Sequence, residues 1–175
     1  MGQKRVLYII AQQNFRDEEY LEPKQILEQD GMEVVTASIT TEEARGMLGT
    51  KVKPNIAVRN ANPNNFDGLV VAGGMGSPKL ADYPEVISII TKFKEQNKPI
   101  AAICLAGYVL ARSGILKGRT ATVYPADFAL AEYRRSGVKY SSEHIVVDGN
   151  IVTADGPEVA KEFGREISRI LREKA

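Results

Sequence analysis

The stretch PIAAICLAGYVLARSG, residues 99–114, decides the fold. Its first part is a short apolar run without strict alternation, the pattern of a strand covered on both faces. Its second part has helical spacing and stops at Gly114. Cys104 falls at the junction, flanked two residues away by Ala102 and Ala106. Small residues at those offsets are what a nucleophile elbow requires, because strand and helix approach there too closely for larger side chains.

Working outward, three similar apolar runs occur: RVLYIIA (5–11), EVVTASI (33–39) and GLVVAGG (68–74). Amphipathic stretches separate or follow them: EEYLEPKQILEQDG (18–31), PEVISIITKFKEQNK (84–98) and PEVAKEFGREISRILREK (157–174). Pro84 and Pro157 suit the first turn of a helix, and the basic residues closing the last stretch complement the helix dipole. Strands alternating with helices predict βαβ units, hence an α/β protein with a mostly parallel sheet and helices on both faces. Residues 44–60 break the rhythm, and their Gly, Thr, Val and Ile content suggests a small β-excursion. HIVVDGNIVTADG (144–156) reads as a hairpin turning at Asp148-Gly149-Asn150. With no repeat or linker, residues 1–175 are expected to form one domain.

The 175 residues carry a formal net charge of +1, with 43% hydrophobic and 26% charged residues. That balance gives no field to gather nucleic acid or an anionic membrane, so a small molecule or a modified protein is the expected partner. No apolar run approaches a membrane span, and the first residues lack the features of a signal peptide. A single cysteine permits no internal disulfide, so a cytoplasmic setting is expected.

In an open parallel sheet, ligands bind beyond the carboxyl ends of the strands, which is where Cys104 lies. A helix N-terminus there favours thiolate and is expected to lower the thiol pKa. A free cysteine is also among the most buried residue types, so position alone leaves its reactivity open. The Gly73-Gly74-Met75-Gly76 turn would reach the same edge, with backbone N–H groups able to receive an oxyanion or a carboxylate. The acidic run Asp17-Glu18-Glu19 opens the first helix, and spacing does not say which of the three turns inward. The chain has no cluster of His and Cys with metal-ligand spacing, and GGMG lacks the spacing of a phosphate loop, so neither metal nor cofactor is expected.

These residues resemble the ThiJ/PfpI superfamily, which includes the Parkinsonism-associated deglycase and the PfpI intracellular peptidases. AAICLAGYVLARSGILKGRTAT is similar to the family's cysteine segment, and Glu19 precedes Pro23 in EEYLEP as the family's buried glutamate precedes its helix proline. FDGLVVAGGMGSPKL resembles its Gly-Gly loop, and SSEHIVVDGNIVTADGP its closing strand pair. The resemblance implies a flavodoxin-like three-layer sandwich of the class I glutamine amidotransferase type. It also implies catalysis by Cys104 with a protonated Glu19 donating to the sulfur, substrate contacts from Gly73, Gly74 and Leu105, and a homodimer or higher oligomer.

The chain departs from both branches of that family. The peptidase branch has histidine where Leu105 stands, and an acidic residue from a neighbouring subunit where Pro78 stands. The deglycase branch has histidine at the position of Tyr124, which is left as a possible supporting residue. The lone histidine, His144, matches no catalytic position. A thiol peptidase normally pairs cysteine with histidine. The expected function is therefore a cofactor-independent, stress-protective enzyme acting on 2-oxoaldehydes or their protein adducts. A PfpI-type peptidase and a non-enzymatic redox sensor or chaperone using Cys104 oxidation stand as alternatives.

Overall fold

The computed structural model describes residues 2–174. Its central sheet has seven strands: β1 (Arg5–Ile9), β2 (Glu33–Ser38), β3 (Ile56–Ala57), β4 (Gly68–Val71), β5 (Ile100–Ile103), β6 (Ile145–Asp148) and β7 (Ile151–Ala154). Their order across the sheet is β6-β7-β5-β4-β1-β2-β3, and only β6 runs antiparallel to its neighbour. The helices are α1 (Asp17–Gln29), α2 (Pro84–Glu95), α3 (Ala106–Ser113), α4 (Asp127–Arg135) and α5 (Ala160–Glu173). α1 packs against α5, while α2, α3 and α4 adjoin one another. This is the flavodoxin-like arrangement.

Burial on both faces explains the apolar runs. Val6, Leu7, Tyr8, Ile9 and Ile10 are all fully inaccessible, as are Val70, Val71 and Ala72. Such strands gain on both sides from apolar area removed from water. After β1 the chain crosses to β2, and after β3 it returns to the other side of β1 as β4. The strand order thus reverses between β1 and β4, and the loops leaving their carboxyl ends diverge there to form a crevice.

Several expected boundaries shift. β1 ends at Ile9 rather than residue 11, because residues 13–15 leave to pair with 44–46 in a small second sheet completed by 51–52. The β-excursion is therefore real, but β3 inside it joins the main sheet beside β2. The cysteine helix starts at Ala106, not Leu105, and the last helix begins with a separate 3₁₀ turn at Pro157–Val159. α4 and the two-residue pairing of 120–121 with 139–140 were not anticipated. The β6–β7 hairpin turns as expected through Gly149-Asn150, with φ of 62° at Gly149. No helix among the described residues is long and apolar enough to cross a membrane.

Candidate active site

Cys104 follows the last residue of β5 and adopts φ of 59°, the left-handed region that side chains other than glycine rarely enter. Both its backbone groups are tied down. Its N–H donates to Ala154 O at 2.8 Å, extending the β5–β7 ladder, and its carbonyl accepts from Tyr124 N at 3.3 Å. A strained conformation persists where surroundings over-determine it in this way. Gly73 provides the space: a Cβ there would meet Ile103 O at 2.4 Å, Glu19 Oε1 at 2.5 Å and Cys104 Cβ at 2.7 Å. Any side chain at Gly73 would therefore displace the cysteine or the glutamate.

Glu19 sits in the first turn of α1 and is 0% exposed. Of the acidic run, Glu19 is the residue that turns toward Cys104. Glu18 pairs with Arg16, both contacts being 2.9 Å. Asp17 turns instead to the 44–52 excursion, accepting from Leu48 N at 2.8 Å and Thr50 N at 2.9 Å. Burial works to raise the Asp17 carboxyl, but those donors win and hold it below the usual range. The position of Glu19 also depends on Pro23. A helix proline has no N–H to give the carbonyl four residues earlier, which here is that of Glu19. The buried Tyr8 hydroxyl of β1 donates to that carbonyl instead, at 2.5 Å.

No nitrogen or oxygen donor reaches either carboxyl oxygen of Glu19; the polar group beside it is the Cys104 thiol. Burial pushes the Glu19 carboxyl up to about 8. Burial also pushes the Cys104 thiol up to about 12, with the charge of an ionised Glu19 adding to the rise. The lowered thiol expected from a helix N-terminus is thus not found, because desolvation outweighs the opposing pull of the backbone N–H groups of Leu105 and Gly74. Two buried acids in contact do not ionise independently, so the pair carries one negative charge rather than two near pH 8. On sulfur that charge faces the Leu105 and Gly74 amides; on Glu19 it meets the Cys104 thiol alone.

Both groups open into a cleft of about 490 Å³ lined by Arg16, Met47, Gly74, Met75, Leu105, Tyr124, Pro157 and Glu158 as well. Among the expected residues, Cys104, Glu19, Gly74, Leu105 and Tyr124 come together here. Gly73 packs behind Cys104 and gives its carbonyl to Arg16 N at 2.8 Å, so its contribution is close packing rather than a wall of the cleft. His144 does not line the cleft; it is exposed on the β6 side and paired with Asp155 at 2.8 Å. Sequence reasoning missed Arg16, Met47, Met75, Pro157 and Glu158. Arg16, Met75, Pro157 and Glu158 follow strands β1, β4 and β7, so the rule that sites gather at strand carboxyl ends could have found them. Met47 arrives on the excursion pinned by Asp17, and its sulfur accepts Met75 N–H at 3.4 Å. Among the described residues, no three His, Cys, Asp or Glu side chains are grouped to hold a metal ion.

Comparison with known proteins agrees with this architecture. The model of the DJ-1/PfpI family matches residues 4–170. The chain is 41% identical to "Uncharacterized protein MJ0967" of Methanocaldococcus jannaschii, over 98% of this chain and 84% of that one. It is 32% identical to "Deglycase PH1704" of Pyrococcus horikoshii, over 96% of this chain and 99% of that one. A solved ThiJ/PfpI domain protein from Brachyspira murdochii superposes with a TM-score of 0.94 at 31% identity, covering 99% of this chain and 100% of the other. With a strained cysteine, a buried glutamate and a close-packed Gly-Gly loop at one crevice, this chain belongs to the DJ-1/PfpI family.

Proposed function

We propose that the protein is a cofactor-independent enzyme of glyoxalase or deglycase type, acting on 2-oxoaldehydes or their protein adducts through a Cys104 thiolate assisted by Glu19. The observation that carries the reading is the Glu19 carboxyl, fully buried and with no nitrogen or oxygen donor at either oxygen, beside the one thiol of the chain. A carboxyl buried without donors keeps its proton and can give it away. The deglycase name of the Pyrococcus horikoshii relative supports the same reaction class. Peptide hydrolysis has no support from a Cys-His pair, because Leu105 occupies the adjoining position and His144 lies elsewhere.

The chemistry runs as follows. The thiolate attacks the aldehyde carbon, a C–S bond forms, and the carbonyl oxygen takes the proton of Glu19 to give a hemithioacetal. Glu19, now a carboxylate, withdraws the hydrogen of that carbon as a proton and returns it to the neighbouring carbonyl carbon, while the hydroxyl proton passes to that carbon's oxygen through the enediol. The product is a Cys104 thioester of the 2-hydroxy acid. Water then cleaves the C–S bond, releasing the acid and restoring the thiol. The Leu105 and Gly74 N–H groups stabilise charge on the sulfur and on oxygens developing beside it.

Lactate formation from methylglyoxal tests this directly. Cys104→Ala is expected to abolish it, and Glu19→Gln to lower kcat by roughly 100-fold or more, the usual range for losing a general acid–base group. Absence of turnover in the native protein, or full activity in Cys104→Ala, would refute the assignment.

A further inference from the structure

A second cavity, of about 250 Å³, lies at the carboxyl edge of the sheet and shares no lining residue with the cysteine cleft. Residues 11–14 leaving β1 line it, with Ile39 after β2 and Lys79, Leu80 and Tyr83 between β4 and α2. Two of its loops meet backbone to backbone. Gly76 N donates to Asn14 O at 2.9 Å, and an added Cβ at Gly76 would overlap Gln13 O. Asn14 itself holds φ of 63°, in the left-handed region. These walls are fixed before any ligand arrives, which lowers the cost of binding one.

The polar groups on these walls are unevenly used. The Gln12 side chain is spent, accepting from Thr40 N at 3.1 Å and donating to Glu42 O at 2.6 Å. The Gln12 and Asn14 carbonyls are also taken, by Arg45 N and Gly76 N. Donors remain free. Among the described residues, the N–H groups of Ala11 and Gln12 make no hydrogen bond, although Ala11 is only 2% exposed. A buried N–H without an acceptor is rare in folded proteins. Lys79 is the one charged residue on the walls, and it forms no ion pair or hydrogen bond among the described residues. The Tyr83 hydroxyl is likewise without a partner there.

Free donors call for a ligand that accepts, and a single ammonium balances a single negative charge. A dianion such as phosphate would leave charge unmatched beside Ile39, Leu80 and the Tyr83 ring, which need an apolar body. A carboxylate on a hydrocarbon or aromatic body meets both demands. The volume equals the share of roughly eight waters, which limits that body to about one ring. We propose that this cavity is a second ligand site, separate from the cysteine cleft, for a small monocarboxylate with an apolar body. The carboxylate oxygens accept from the Ala11 and Gln12 N–H groups and from Lys79, and the body lies against Ile39, Leu80 and Tyr83.

Benzoate is the probe, titrated into protein whose Cys104 has first been alkylated with iodoacetamide so that the cleft is blocked. In amide-resolved NMR the Ala11 and Gln12 signals should move saturably with benzoate. The neutral isostere benzamide and inorganic phosphate should leave them in place. Lys79→Gln, at an exposed position, is expected to weaken benzoate binding about fivefold, the worth of a solvent-accessible ion pair. Lys79→Arg should restore it. No saturable movement at Ala11 and Gln12, equal movement with benzamide or phosphate, or undiminished binding in Lys79→Gln would overturn the proposal. Binding seen only before Cys104 is alkylated would put the carboxylate in the cleft and overturn it as well.

Discussion

At the scale of single residues, the site depends on groups placed where ordinary chemistry disfavours them. Cys104 holds a left-handed backbone, and Glu19 holds a proton in a space that Gly73 leaves just open. The Tyr8 hydroxyl supports this arrangement by taking over the Glu19 carbonyl that Pro23 cannot satisfy. Tyr8→Phe keeps the ring and its edge-on contact with Tyr20 but leaves a buried carbonyl without a donor. The expected cost is about 1–3 kcal/mol in urea denaturation, the desolvation penalty of an unsatisfied group. Because that carbonyl belongs to Glu19, kcat for methylglyoxal should fall as well, while KM changes little. Unchanged kcat in a measurably destabilised variant would show that Tyr8 serves stability only. The importance of Cys104 was legible in its small flanking residues, and Gly73 in its doublet. The thiol's actual electrostatics were not, because desolvation depends on atoms brought from the rest of the chain.

At the scale of elements, the regular βαβ units could be read from the chain because each strand buries both faces and each long helix carries one apolar stripe. The region after Cys104's helix was not legible. α4 spans nine residues, is capped by no side chain, and follows an irregular stretch from Thr122 to Ala126. Its Tyr133 reaches back to Thr122 O at 2.6 Å, a tertiary tie with no local signature. The excursion shows the same limit. Its β character was evident, but its purpose lies in Asp17, which grips Leu48 and Thr50 and thereby brings Met47 to the cleft. Spacing along one helix could not say that Asp17, Glu18 and Glu19 serve three different partners. Likewise, Gly164 of α5 packs where an added Cβ would lie 2.9 Å from Pro23 Cα. The helix that carries Glu19 is seated by a residue more than a hundred positions away.

At the scale of the whole molecule, the sheet brings the candidate cleft together from the loops after β1, β4, β5 and β7, and the stability of the protein bears the cost. Glu19 titrates near its ordinary 4.5 when unfolded and at about 8 when folded. Between those values the unfolded chain releases the proton while the native state retains it, so stability falls as pH rises from 4.5 to 8. Such a shift corresponds to a loss on the order of 4 kcal/mol. Glu19→Gln removes that penalty and should melt several degrees higher than the native protein at pH 8, with the difference vanishing near pH 4.5. Calorimetry at both pH values checks this, and a Glu19→Gln protein equally destabilised at both would contradict it. The central claim, that thiol and carboxyl share one negative charge and place it on sulfur, is tested most directly by the pH dependence of Cys104 alkylation. The native protein should show a midpoint well below about 12, the value that burial and an ionised Glu19 together would set for the thiol, and Glu19→Leu should move it upward by roughly one unit or more as the donor to the thiolate is lost. A midpoint that falls when Glu19 is removed would mean that the carboxylate, not the sulfur, holds the charge.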